Sequence, residues 1–312
     1  MESAPASERA GGGLPKAARI GVELQYLLQL AANGIVIGSV YALLAIGLSL
    51  IFGILGVVNF AHGEFYMLGA TATYALVALL GLDYWVSIVL VMLVAAAIGI
   101  ALHDLFLKRI GRHEFERSML LTLGLAMILQ NGALAIWGAD PKFVRVPALS
   151  GLISPFEVRI PLTRAAAFAA AIAGLFGLIY LLHRTRLGQA MRAVASNPTA
   201  ASVVGIPANL IARATVAVGL AMCGLAGAAL APIYTVHPLM GTLFVFKAFA
   251  IVIIGGMGSL SGAAIVAFAL GIVESTVGAY VSLSTTEGIV FAVMIAVLLF
   301  RPLGLFGRGL RV

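Results

Sequence analysis

Charge is what this sequence has least of. Asp, Glu, Lys and Arg make up 10% of its 312 residues against 62% hydrophobic ones, and mean hydropathy is +1.11. That is too little polar material to coat a water-soluble globule, so lipid must be the solvent for most of the surface. A single cysteine, Cys223, excludes a disulfide framework and a cysteine-built metal site; inside its apolar run it reads as a small packed residue. No lysine follows a glycine, so the phosphate-cradling pattern GxxxxGK[ST] is absent. His103, His113 and His183 lack metal-ligand spacing, and no Ser/His/Asp or paired-carboxylate arrangement stands out. Neither catalytic nor metal-binding residues are expected.

What is present is a series of apolar runs of the length a membrane helix needs, roughly 20 residues. The clearest cover 24–63, 65–82, 84–103, 118–139, 165–183, 214–246 and 248–273. The expected fold is all-α, a polytopic transmembrane bundle of about eight or nine segments, some broken or re-entrant. The net charge of +7 is spread over short loops, which points to positive-inside topology rather than nucleic acid. One loop holds Lys108, Arg109, Arg112 and Arg117, the other Arg184, Arg186 and Arg192, and both are assigned to the cytoplasm. The spans near 118–137 and 163–183 are then joined outside by a periplasmic loop, 138–163, whose Pro141, Pro147, Pro155 and Pro161 suit an irregular connection with a few extended residues. Spans near 208–235, 238–257, 260–282 and 286–307 alternate in direction and leave Arg301 and the tail 308–312, with Arg308 and Arg311, in the cytoplasm. Residues 1–20, rich in Ala, Gly, Ser and Pro, read as a disordered lead-in whose charges do not decide its side, and 21–307 as one transmembrane domain.

Three interruptions carry the polar chemistry. The first, Gly56 to Gly69, places Asn59, His62 and Glu64 between two apolar stretches, where ionisable groups usually face a cavity or a partner. One reading is a broken helix beside a conduction path, its freed backbone groups satisfied inside the bundle. The other is a helix start, with Asn59 capping and Glu64 in the first turn. Both stay open, and the run 24–63 is too long for one straight span. The second, Gly255 to Gly262, reads as close helix approach through Gly258 and Gly262 at GxxxG spacing, which Gly34 and Gly38 repeat in the first span. One break per half is the pattern of interrupted helices in transporter repeats. The third is the loop 184–207, with a cap at Asn197 before Pro198: two short helices whose Ala and Val need a partner protein or the membrane surface to cover them. Lys247 and Glu274 lie in apolar segments, where they pair or snorkel separately. Tyr234, His237, Gln130 and Asn131 read as interface anchors.

From about residue 24 to 307 the chain resembles the LivH-type permease subunit of branched-chain amino acid ABC importers. The resemblance rests on Asn33-Gly34 and the run Gly38 to Gly47, on Val58 to Glu64 with Tyr66, Met67 and Gly69, on Gly188, Arg192, Ala193, Ala201 and Gly205-Ile206, and on Gly255, Gly256, Gly258, Ser259 and Gly262. It implies a bacterial inner-membrane subunit, surrounded by lipid and unrelated to nucleic acid. Its implied partners are a second, LivM-type permease subunit, two cytoplasmic ATP-binding subunits and a periplasmic solute-binding protein. ATP and Mg would be bound by those partners, with no cofactor and no enzyme activity in this chain. Asn59, His62, Glu64, Gly255, Gly256 and Gly258 would form the translocation path or broken helix. Gly188, Arg192, Ala193, Ala201 and Gly205 would form the ATPase-coupling loop, although the Glu-Ala-Ala pattern of other importers is missing. The implied cargo is a branched-chain or related amino acid; relatives also carry urea, amides or other amino acids. A self-sufficient channel or secondary transporter would need buried acids for a coupling ion, for which Glu274 alone stands.

Overall fold

The computed structural model describes residues 16–110, 114–154 and 158–307, with the backbone alone for 16–22 and 283–284. The chain is helical with one two-stranded hairpin. Helix α1 (Lys16–Leu55) is followed by α2 (His62–Tyr74), which a π-helical turn extends through Ala75–Leu79, and by α3 (Tyr84–Leu105) and α4 (Phe115–Trp137). Then come β1 (Leu152–Ile153), β2 (Ile160–Pro161), α5 (Leu162–Arg184), α6 (Arg186–Ser196), α7 (Pro198–Val203) and α8 (Ala208–Leu230). The last three are α9 (Met240–Gly255), α10 (Leu260–Val277) and α11 (Leu283–Phe300). Among the described residues six helices are long and apolar enough to cross a membrane; Met240–Gly255 and Thr285–Phe300 are shorter, and α2 is the broken piece. Together they make the expected eight or nine segments.

The apolar part of α1, Glu23–Leu55, spans 33 residues, about 50 Å of helix against about 30 Å of hydrocarbon. It is therefore longer than the layer it crosses. In its most apolar window 83% of residues are buried, in that of α8 72%, and in that of α4 11%. So α1 and α8 form the centre, and α4 lies at the lipid-facing edge. Small residues allow this: the second half of α8, from Gly219 to Leu230, is Ala- and Gly-rich and wholly buried. On its other side α1 meets α10 backbone to backbone, since a Cβ on Gly34 would lie 2.6 Å from Ile272 Cα and one on Gly38 2.8 Å from Phe268 Cα. The spacing of these two glycines thus marks a true close approach.

Contacts sort the chain into two ends. At one, Lys142 pairs with Val236 in an isolated bridge, Gln29 and Arg159 exchange side-chain to backbone hydrogen bonds at 2.9 Å, and Arg164 bonds Asn33. The short hairpin here realises the extended residues expected of 138–163. At the other end lie α6 and α7, the α9–α10 turn and the final stretch, whose Leu305 N donates to Ile254 O at 2.8 Å. The lead-in expected over 1–20 is cut short, because helix begins at Lys16; its first fifteen residues, with Arg112, His113, Pro155 and the tail 308–312, lie outside the described residues.

Gly38→Leu is expected to force α1 and α10 apart at a cost of about 1–3 kcal/mol, while Gly132→Leu on α4, where a Cβ meets nothing within 4 Å, is tolerated. Melting of the detergent-purified complex measures both, and equal melting temperatures would contradict the glycine-mediated contact.

Candidate functional site

Helix α1 stops at Gly56, whose φ of +68° turns the backbone away while its N–H still reaches Phe52 O at 2.8 Å. The stretch that follows is not helical, yet Val57, Asn59 and Ala61 are buried. Away from water its polar backbone needs partners in the protein. The hydroxyl of Thr122, on α4, accepts from Phe60 N at 3.1 Å, and its own proton lies within reach of Val58 O (3.2 Å) and Ser118 O (2.8 Å). Asn59 Oδ1 accepts from Ala61 N at 3.1 Å, so Asn59 shapes the turn. It does not cap α2: the cap position is Ala61, without a side-chain bond, because Asn59 lies too far before the first helical turn. Glu64 does occupy that first turn, where the helix dipole favours a carboxylate.

The three polar residues of this interruption are brought together with the centre of the bundle. His62 Nε2 donates to Leu44 O at 3.1 Å, and Cys223 Sγ donates to His62 O at 2.9 Å. A carbonyl only accepts, so Nε2 carries the ring proton and Nδ1 of the neutral ring is a free acceptor. Among the described residues, His62 Nδ1, Asn59 Nδ2, Glu64 Oε2 and Tyr66 OH are buried with no hydrogen-bond partner. Four such atoms within eight residues are unusual for a structural core.

The second interruption is a tight reverse turn. Gly256 and Gly258 have φ of +98° and +82°, and Ser259 Oγ caps α10 by accepting from Gly262 N at 3.2 Å. Gly258 therefore sits in the turn, and the GxxxG reading of Gly258 and Gly262 is corrected. The close approach is between Gly255 and Gly262 across the turn, a Cβ on Gly255 lying 2.6 Å from Gly262 C. Both interruptions border one apolar cleft of about 300 Å³, lined among others by Phe52, Val57, Phe60, Phe249, Met257, Phe291 and Met294. Phe60 is the residue of the first motif, beside Val57 and Val58, that faces it; Asn59, His62 and Glu64 do not line it.

Lys247 and Glu274, left open by sequence, meet. Lys247 Nζ lies 2.6 Å from Glu274 Oε1 and donates to Tyr41 OH at 3.2 Å, and Tyr41 OH donates to Glu274 Oε2 at 2.9 Å. Glu287 Oε1 stands 3.8 Å from the same ammonium. The cluster joins α1, α9, α10 and α11, with the rings of Tyr41 and Phe244 5.5 and 6.0 Å from the ammonium. Tyr41 was not foreseen in this cluster, and among its charged members Glu287 is the one that sequence reasoning missed. Its signal was available: an acid near the start of an otherwise apolar helix. Gln130, expected as an anchor, instead bonds Thr242 on α9 at 3.1 Å, and Asn131 bonds Met127 O within its own helix.

The loop 184–207 forms the two expected short helices, α6 capped by Thr185 and α7 by Asn197, whose Oδ1 accepts from Ala200 N at 2.9 Å. Two of the five residues chosen here face inward. Gly188 packs on the Leu181 and Leu182 backbone and Ala201 is buried, so they hold the loop against the bundle and offer no surface. Arg192 and Gly205 are exposed, Ala193 is half-buried, and Val203 and Val204 project at 80% and 75% exposure. Val194 and Pro198 share a cleft of about 190 Å³ with Leu55 and Val57, at the foot of the first interruption.

Residues 30–298 match a family model described as a branched-chain amino acid transport system permease component. The chain is 31% identical over 298 residues to the high-affinity branched-chain amino acid transport system permease protein LivH of Escherichia coli K12, covering 91% of this chain and 96% of that one. It is 33% identical over 304 residues to the corresponding protein BraD of Pseudomonas aeruginosa, covering 92% and 97%, and 30% identical over 296 residues to LivH of Salmonella typhimurium, covering 91% and 96%.

Replacing Lys247 with Met leaves the half-buried Glu274 and Glu287 without a counter-charge, and is expected to destabilise the protein by about 3 kcal/mol. The double variant Lys247→Met with Glu274→Gln recovers part of that loss. Unfolding of purified protein reads both, and a single variant as stable as the parent would contradict a buried ion pair.

Proposed function

The chain belongs to the family of branched-chain amino acid transport system permease components, and from that premise we propose that it is a membrane-spanning permease subunit of an ATP-binding cassette importer. It carries branched-chain or related amino acids delivered by a periplasmic binding protein. The observation that carries this reading is the convergence of both helix interruptions on one apolar cleft, on a face suited to an aliphatic side chain. Non-helical backbone at membrane depth is tolerated where it is enclosed by protein or lines a cavity, and here it does both.

In this reading the end with α6 and α7 lies in the cytoplasm of a bacterial cell and the hairpin end in the periplasm. The partners are a second, LivM-type permease subunit, two cytoplasmic ATP-binding subunits that bind ATP and Mg, and the periplasmic solute-binding protein. The ATP-binding subunits cover Val203 and Val204, an apolar pair too exposed to face water. Arg192 and Gly205 belong to that contact surface, while Gly188 and Ala201 anchor it. The buried, unpartnered polar atoms of Asn59, His62 and Glu64 stand behind the cleft wall and shape it through Phe60.

Proteoliposomes holding the whole complex test the assignment. ATP-dependent uptake of leucine, isoleucine and valine is expected; uptake of urea or amides instead would change the cargo. Arg192→Glu, or Val203→Asp, is expected to lower uptake by about tenfold, equivalent to ~1.4 kcal/mol of coupling, with normal membrane insertion. Full uptake would remove these residues from the coupling surface. Glu64→Gln should alter transport per assembled complex, and a fall in complex yield alone would leave Glu64 a structural role.

A further inference from the structure

We propose that Lys247 and Glu287 form a subsite for the zwitterionic head group of the cargo amino acid, with the adjoining apolar cleft receiving its side chain. This deepens the importer reading and rests on it.

One ammonium, Lys247, faces two carboxylates, Glu274 and Glu287. The cluster's hydrogen-bond count is incomplete. An ammonium has three N–H donors; Glu274 Oε1 and the Tyr41 hydroxyl take one each. The third has no partner, since Glu287 Oε1 at 3.8 Å lies beyond hydrogen-bond reach and is itself buried and unpartnered. A free donor and a free carboxylate oxygen thus stand side by side. An α-amino acid presents the complement, a carboxylate that accepts from Lys247 and an ammonium that donates to Glu287, separated by a single carbon. Binding would satisfy both groups without adding net charge, which matters where water is scarce. Glu287 is the most exposed member of the cluster: its side chain is 21% exposed, against 12% for Glu274 and 6% for Lys247.

The neighbourhood decides the side chain. Phe291, one helical turn beyond Glu287 on the same face of α11, lines the apolar cleft, as does Phe246, which precedes Lys247 on α9. The two rings touch edge to face, 6.5 Å between centroids. A head group held by Lys247 and Glu287 therefore leaves its side chain among Phe246, Phe291 and Met294. The cleft accepts aliphatic bulk, and the cluster rejects molecules lacking either charge.

The permease–ATPase complex, purified without binding protein, is melted with millimolar L-leucine, 4-methylpentanoate (no ammonium) or 3-methylbutylamine (no carboxylate). Leucine is expected to raise the melting temperature and the two half-molecules to leave it unchanged. Glu287→Gln should weaken the leucine response about tenfold in concentration, and Glu287→Asp should restore part of it. If Glu287→Gln fails to assemble, Phe291→Ala takes its place, with the leucine response expected to fall to that of alanine. An unchanged response in the variant used, or a 4-methylpentanoate response equal to that of leucine, overturns the subsite. Uptake by the wild-type complex separates the two readings. Normal uptake without any leucine shift overturns the subsite and leaves the importer standing; a leucine shift without branched-chain amino acid uptake supports the subsite and overturns the importer.

Discussion

Six residues of non-helical backbone between Leu55 and His62 sit inside a bundle whose outer solvent cannot hydrogen-bond to them, and much of the architecture is arranged around that fact. Phe60 in this stretch packs on Phe249 of α9, 4.9 Å between ring centroids, and its backbone is bonded by the Thr122 hydroxyl from the exposed helix α4. Helix α2 can start there only because its neighbours allow close approach. The Ala- and Gly-rich half of α8 lets His62 and Cys223 come within hydrogen-bond distance. An additional methyl group on that face would meet backbone. Among the described residues, glycine serves contact between helices more often than loops.

Electrostatics imposes the second constraint. Four helices converge on Lys247, Glu274, Glu287 and Tyr41, in a medium where an isolated charge is costly. Pairing solves part of that problem and leaves one donor and one acceptor unused. The same helices, α9 and α11, continue into the apolar cleft, so charged and apolar recognition lie end to end along one pair of helices.

The apolar cleft and the helices α6 and α7 lie at the same end of the bundle, and Val57 borders both that cleft and the smaller one beside α6 and α7. Gly188 locks α6 onto the last turn of α5, and Val194 and Pro198 border the same small cleft as Leu55 and Val57.

Composition and periodicity alone determined that the chain is an all-α membrane bundle, because the length of an apolar run reports directly on the solvent it needs. They also located both interruptions, the two short helices after Arg184 and the close approach at Gly34 and Gly38, since glycine, proline and cap residues act on the backbone next to them. What lay beyond reach were facts about residues distant in the chain. That Lys247 meets Glu274 and Glu287, that Thr122 serves the backbone at residue 60, that Gly258 belongs to a turn, and that Gly188 and Ala201 face inward all depend on which helix faces are opposed. Helical spacing in a nearly uniform apolar sequence leaves the facing direction undetermined, because lipid and protein interior are equally apolar to a side chain. Only the packed structure distinguishes them.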